Sequence, residues 1–136
     1  GPAILEACRK VVARQAPLPT GQAVITTGGR LPAGQVIHTV GPVWRGGDAG
    51  EPELLASCYQ SCLRLAVEQG LASVAFPSIS TGIYGYPVNA AAPIALGTAA
   101  KFVKTHAAPA LVVFMLFDGK TFRAYREALG GLAVRE

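Results

Sequence analysis

No stretch of this sequence is long and apolar enough to span a membrane. The longest strongly apolar run, Ala107 to Phe117, contains Pro109 and stops well short of the roughly 20 residues a membrane helix needs. The start, Gly1-Pro2-Ala3-Ile4, has neither an initiating methionine nor a positive region followed by an apolar run, so no signal peptide is expected. Cysteine is scarce: Cys8, Cys58 and Cys62 make no disulfide framework and fit a reducing compartment, which implies a cytoplasmic location. Cys58 and Cys62 have no histidine or further cysteine near them in sequence, so they read as small buried hydrophobes, and no metal site is expected. The excess of positive charge is small, with 12 Lys and Arg against 8 Asp and Glu, and only Arg9 and Lys10 stand together. A dispersed charge of this kind reads as solvated surface before it reads as a nucleic-acid footprint. The sequence also lacks the two common glycine-rich nucleotide signatures and a nucleophile elbow, which removes any Ser-His-Asp assignment.

What is present is a folding sequence of 136 residues, 51% hydrophobic, sized for one domain with a real core. Apolar residues at helical spacing predict a helix over Ala3 to Gln15, ended by Pro17-Leu18-Pro19-Thr20-Gly21. Strands are predicted at Ala23–Thr27 and Val36–Val40, with Arg30 to Gln35 able to turn the chain between them. Whether these strands are neighbours is not readable from the pattern. Pro52 can open a helix running towards Gln69, with Leu55, Cys58, Cys62, Leu65 and Ala66 on its core side and Gly70 as its stop. A short strand over Ser73–Phe76, a long alanine-rich helix over Val88–His106, a continuously apolar and therefore buried strand over Leu111–Phe117, and a closing helix from Lys120 to Gly130-Gly131 complete the order. Alternating helices and strands after residue 51 argue for a layered α/β domain with a largely parallel sheet covered on both faces.

The loop between the strand at Phe76 and the helix at Val88 is the strongest candidate site. Ligands of open α/β sheets collect beyond the C-terminal ends of strands, and Ser78 to Tyr86 lies at such an end. Gly82 and Gly85 permit unusual backbone conformations and close approach, while successive amides in such a turn can converge on phosphate oxygens. Ser78, Ser80 and Thr81 add hydroxyls, and Tyr84 and Tyr86 could wall a sugar or base. The loop contains no lysine or arginine, so an anion there would depend on neutral donors. The alternative is a tight turn with both tyrosines packed on the domain.

Three runs carry a more specific signal: Thr27-Gly28-Gly29-Arg30-Leu31-Pro32, Val36-Ile37-His38-Thr39-Val40-Gly41-Pro42-Val43-Trp44, and Phe76-Pro77-Ser78-Ile79-Ser80-Thr81-Gly82-Ile83-Tyr84-Gly85-Tyr86-Pro87. In this order and spacing the chain strongly resembles the macrodomain family, and in particular its MacroD-like branch. That resemblance covers essentially the whole chain and implies a single domain over residues 1–136, a three-layer α/β/α sandwich with a mixed, partly parallel sheet. It implies ADP-ribose as ligand or product, with no cofactor. Ser78, Ser80, Thr81, Gly82, Ile83, Tyr84 and Gly85 would then surround the diphosphate and distal ribose, and Phe117 and Asp118 would lie towards the adenosine. Members of the branch also carry earlier strands and a first glycine-rich ligand loop that have no counterpart here, which makes the fold N-terminally incomplete by resemblance and leaves the catalytic residue unassigned.

The expected activity is that of an ADP-ribose-binding domain from an enzyme that hydrolyses mono-ADP-ribose esters on proteins or deacetylates O-acetyl-ADP-ribose. A binding-only ADP-ribose reader and a nucleic-acid-binding accessory domain are the alternatives. Expected partners are ADP-ribose or a mono-ADP-ribosylated protein, together with self-association or a complementing N-terminal segment that covers the open sheet edges. His38, in an apolar strand, reads as a hydrogen-bonded structural histidine, and His106 as a cap at a helix end. Trp44 is equally suited to stacking on a base or packing over a loop, and Arg45 to adding positive potential or standing in solvent.

Overall fold

The computed structural model describes residues 18–27 and 35–135, with side chains as far as Gly131. The predicted helix over Ala3 to Gln15 and the glycine-rich turn after Thr27 lie outside the described residues. Four strands and three helices follow in the order β1 (Ala23–Thr27), β2 (Gln35–Thr39), α1 (Glu51–Glu68), β3 (Ser73–Phe76), α2 (Val88–His106), β4 (Leu111–Phe114) and α3 (Gly119–Arg135). β1 and β2 are antiparallel neighbours, with Ile25 opposite Ile37. β3 and β4 are parallel, with Phe76 opposite Phe114. The strands are therefore mixed in direction and form two separate pairs, where the sequence pattern suggested a largely parallel sheet.

The helix α1 sits at the centre because its apolar residues repeat every three or four positions. Leu55, Cys58, Tyr59, Cys62, Leu63 and Ala66 are all buried, in two adjacent rows of one face. Tyr59 meets Phe76 edge-on at a centroid distance of 5.0 Å, and Phe76 stacks on Phe114 at 5.7 Å. Tyr125 of α3 closes over Phe114 at 5.4 Å, so α1 and α3 converge on one face of the β3–β4 pair. Ala91, Ala92, Ala95 and Ala99 of α2 are buried as well. Their small side chains let α2 pack close behind α1, which explains the alanine richness of that segment.

Two boundaries differ from the sequence reading. β4 ends at Phe114, and its surroundings are open, with Leu111, Met115 and Phe117 exposed. The strand is half-buried at most: Val112 and Phe114 pack against the core, and Leu111 stands exposed. The last helix runs through Gly130 and Gly131 to Arg135. Two glycines cost a helix about 1 kcal/mol each relative to alanine, which weakens it without stopping it.

Candidate functional site

The loop after β3 is held from beneath by tyrosine hydroxyls. Ile79 donates its backbone N–H to Tyr59 Oη at 3.1 Å. Tyr125 Oη donates to Ser78 Oγ at 2.9 Å, and Thr81 Oγ1 reaches the same Ser78 Oγ at 2.8 Å. Burial pushes the Tyr59 phenol well above its ordinary range, assisted by the neighbouring Tyr125, so it serves as a neutral hydrogen-bonding post. Sequence reasoning missed both tyrosines. The signal for Tyr59 was a polar-tipped aromatic set between the apolar positions Cys58 and Cys62.

From Ser80 onward the backbone turns outward. Ser80 has φ +68°, a left-handed conformation that is costly for a residue with a side chain. Its Oγ is buried and has no hydrogen-bond partner among the described residues. The loop closes through Gly85 N to Gly82 O and Tyr86 N to Ser80 O, both at 3.0 Å. Between Ile79 N and Gly85 N, the amides of Ser80, Thr81, Gly82, Ile83 and Tyr84 donate to no described residue. Gly85 has φ +72° and does need to be glycine. Gly82 differs from expectation: its φ is not in the left-handed region, and an added Cβ would meet nothing within 4 Å. The fold of this loop does not require glycine at 82.

A second segment buttresses the far end. Trp44 donates its backbone N–H to Tyr84 O at 2.9 Å, and its ring packs against Tyr86 at 4.7 Å. Trp44 is thus a packing residue, and Tyr86, only 2% exposed, is core and cannot wall a ligand as its position in the motif had suggested. The loop 45–50 is shaped by Glu51, itself 2% exposed. Its Oε2 accepts from Arg45 N and Gly47 N at 2.8 Å each, and its Oε1 accepts from Ala49 N at 2.7 Å. Burial by itself raises the Glu51 pKa, but the amides of Gly47, Arg45, Glu51 and Ala49 outweigh it and bring the value down to about 2. Gly41 is another residue the motif reading passed over as a mere strand end. A Cβ there would collide with the Ser80 side chain and stand 2.7 Å from Ile79 Cγ2.

The remaining candidates separate into two groups. Ile83 and Tyr84 are exposed at the rim, Ile83 fully so. Phe117 and Asp118 leave the same sheet end, because Met115 N donates to Phe76 O at 2.7 Å and carries β4 on beside β3. Phe117 is 86% exposed, and Asp118 caps α3 through Thr121 N at 2.7 Å. The amide and hydroxyl of Thr121 hold the Asp118 carboxyl below its ordinary range. His38 is bonded to Thr26 Oγ1 at 2.7 Å, and burial lowers its pKa. His106 contacts the Phe102 carbonyl oxygen through Nδ1 at 3.0 Å and stacks on the Phe102 ring, as a helix-end residue does. Cys58 and Cys62 are free and buried, and burial, together with the neighbouring Cys58, pushes the Cys62 thiol up to about 12. The described residues contain no cluster suited to a metal ion. Ser78, Ser80 and Tyr84 also form one end of a cavity of about 1000 Å³ that continues between β2 and β3.

The Macro domain family model matches residues 1–95 of this chain. The chain belongs to the macrodomain family. A Citrobacter koseri protein named O-acetyl-ADP-ribose deacetylase is 54% identical over 129 residues, 95% of this chain and 73% of that protein. The Escherichia coli K12 protein of the same name is 51% identical over the same shares. Among solved structures, the Oceanobacillus iheyensis macrodomain with ADP superposes with a TM-score of 0.94 at 41% identity, covering 100% of this chain and 73% of that one. The Trypanosoma brucei macrodomain in complex with ADP-ribose gives 0.82 at 40% identity, covering 96% and 53%. The fold is accordingly the α/β macrodomain fold, and the two strand pairs are parts of it. No helix among the described residues is long and apolar enough to cross a membrane.

Proposed function

We propose that this macrodomain binds ADP-ribose, with the diphosphate seated on the outward amides of Ser80, Thr81, Gly82, Ile83 and Tyr84. The observation that carries this reading is the run of amides that donate to no described residue, between two anchored ones, on a loop without any basic side chain. Converging N–H groups at the start of a helix are a ready anion site. Ser78 and Gly85 fix the loop ends, Ile83 and Tyr84 offer apolar contact to ribose, and Phe117, with Asp118 behind it, is the exposed aromatic for the adenosine. The relatives' name and the ligands of the neighbouring structures support the same ligand class.

The chemistry we assign is hydrolysis of ester-linked ADP-ribose, either O-acetyl-ADP-ribose or the mono-ADP-ribosyl ester of an acidic protein side chain. No described carboxylate is offered as the base. Glu51 is consumed by backbone amides, and Asp118 caps a helix. We read residues 1–136 as one domain and, from its few cysteines and the free, buried Cys58 and Cys62, as cytoplasmic. A binding-only role is the second reading, favoured by that same engagement of the two acids. Calorimetry with ADP-ribose, AMP and a short single-stranded RNA tests the ligand class. Saturable ADP-ribose binding without RNA binding is expected, and RNA binding alone would overturn the proposal. Release of acetate from O-acetyl-ADP-ribose then separates the enzyme from the reader.

A further inference from the structure

Two anchored segments meet behind the loop that follows β3. Val40 O accepts from Gly21 N at 2.9 Å and from the Cys58 thiol at 3.3 Å, and Trp44 N donates to Tyr84 O, so residues 40–44 are held at both ends. Opposite them, Ile79 N is fixed on Tyr59 Oη, and Tyr86 N closes on Ser80 O. Gly41 and Pro42 are buried. The backbone of Gly41 is not left-handed, so its own conformation asks for no glycine. The space does. A Cβ on Gly41 would run into the Ser80 hydroxyl and lie 2.7 Å from Ile79 Cγ2, well inside the roughly 3.5–4.0 Å at which carbon atoms pack.

The Ser80 side chain occupies the room that Gly41 leaves. Its Oγ is buried and has no hydrogen-bond partner among the described residues, so no described bond draws it inward. The backbone of the same residue, at φ +68°, lies in a region that residues with a side chain seldom adopt. Two unfavourable features at one residue persist only where the surroundings over-determine them. Here the surroundings are the anchored Ile79 N–H, the closure from Tyr86 N to Ser80 O, and the bare face of Gly41. Ser80 is also where the run of amides that donate to no described residue begins.

We propose that Gly41 is a positioning residue for ADP-ribose binding: the absence of a side chain at 41 lets the Ser80 side chain lie inward, which holds the left-handed backbone at 80 and keeps the amides of Ser80 to Tyr84 turned towards the ligand. Gly41 acts through Ser80 and touches no ligand itself. With a methyl group at 41, the Ser80 hydroxyl must swing out or the peptide at 80 must turn, and either change alters the face that the diphosphate meets. The proposal rests on the seating of the diphosphate on those amides.

A double-mutant cycle on the whole chain tests it, with Gly41→Ala made in the wild-type and in the Ser80→Ala background. Ser80→Ala deletes the Ser80 atom that collides with the new methyl and keeps the Cβ. Calorimetry with ADP-ribose gives the affinities, amide spectra without nucleotide report the loop, and urea unfolding confirms that each variant is folded during the titration. In the wild-type background Gly41→Ala should weaken binding by about tenfold or more and displace the amide resonances of Ser80 to Tyr84; in the Ser80→Ala background it should weaken binding by less than about threefold. Ser80→Cys crowds the same contact from the loop side with a larger atom and leaves residue 41 untouched. It should weaken binding by about threefold or more, and it decides the matter if Gly41→Ala does not fold. Equal losses in both backgrounds, or a folded Gly41→Ala protein that loses stability but keeps wild-type affinity, would overturn the proposal. Loop amides displaced by Gly41→Ala in a protein whose wild type binds no ADP-ribose would overturn the seating of the diphosphate instead, because those spectra are read without ligand.

Discussion

Substituting Gly82 separates ligand binding from folding more cleanly than any other change in this loop. A side chain at 82 meets open space, and the backbone there is not left-handed. Folding should therefore tolerate it, and reduced freedom of the unfolded chain should add about 0.4–1 kcal/mol of stability in Gly82→Ala. The ligand should not tolerate it if the diphosphate rests on the amides of residues 80–84. In Gly82→Glu a carboxylate about 5 Å from each of two phosphate charges costs about 0.8 kcal/mol per pair even at the dielectric constant of water, or about 1.7 kcal/mol together. That is more than a tenfold loss of affinity before any collision is counted. Gly82→Gln keeps the volume and omits the charge, so the ratio of the two affinities isolates the electrostatic part. Calorimetry with ADP-ribose measures both, and urea unfolding confirms that each variant is folded. A folded Gly82→Glu protein with wild-type affinity would refute the placement of the diphosphate.

Other perturbations have expected outcomes of their own. Gly85→Ala must hold φ +72° with a side chain, and should lose about 1–2 kcal/mol of stability in a denaturant titration. Tyr59→Phe removes the acceptor of the buried Ile79 N–H, and should cost about 1–3 kcal/mol, with ADP-ribose affinity falling because the loop loses its post. Glu51 gives the fold an acid limb. Its pKa falls from 4.5 to about 2 on folding, so its contribution is complete above about pH 4.5 and is lost as pH drops towards 2. Glu51→Gln should flatten that part of a stability-against-pH curve and lower the denaturation midpoint at neutral pH; an unchanged acid limb would show that the carboxylate does not organise the loop.

The elements were legible where local signals agreed with tertiary surroundings. Ala23–Thr27, Ser73–Phe76 and Val88–His106 read correctly because β-branched or alanine-rich runs are bounded by glycine or proline. Leu111–Phe117 misled because apolarity signals burial only where other elements cover the side chains, and here Val112 and Phe114 meet the core while Leu111, Met115 and Phe117 stand exposed. The ligand loop was legible as a motif, but its supports were not. Tyr59, Tyr125, Gly41 and Glu51 act across 20 to 47 residues of sequence or through a loop whose composition looks merely flexible. Gly82 and Gly85 look equivalent as letters, yet only one carries a backbone demand.

ADP-ribose binding, as proposed, depends on the amides of Ser80 to Tyr84. Titrating ADP-ribose into the isotopically labelled protein and following individual backbone amides tests it most directly. Large, saturable shifts at Ser80, Thr81, Gly82, Ile83 and Tyr84, with Gln69 and Gly70 at the far end of α1 unmoved, are the predicted result. Saturable binding that leaves those five amides in place would contradict it.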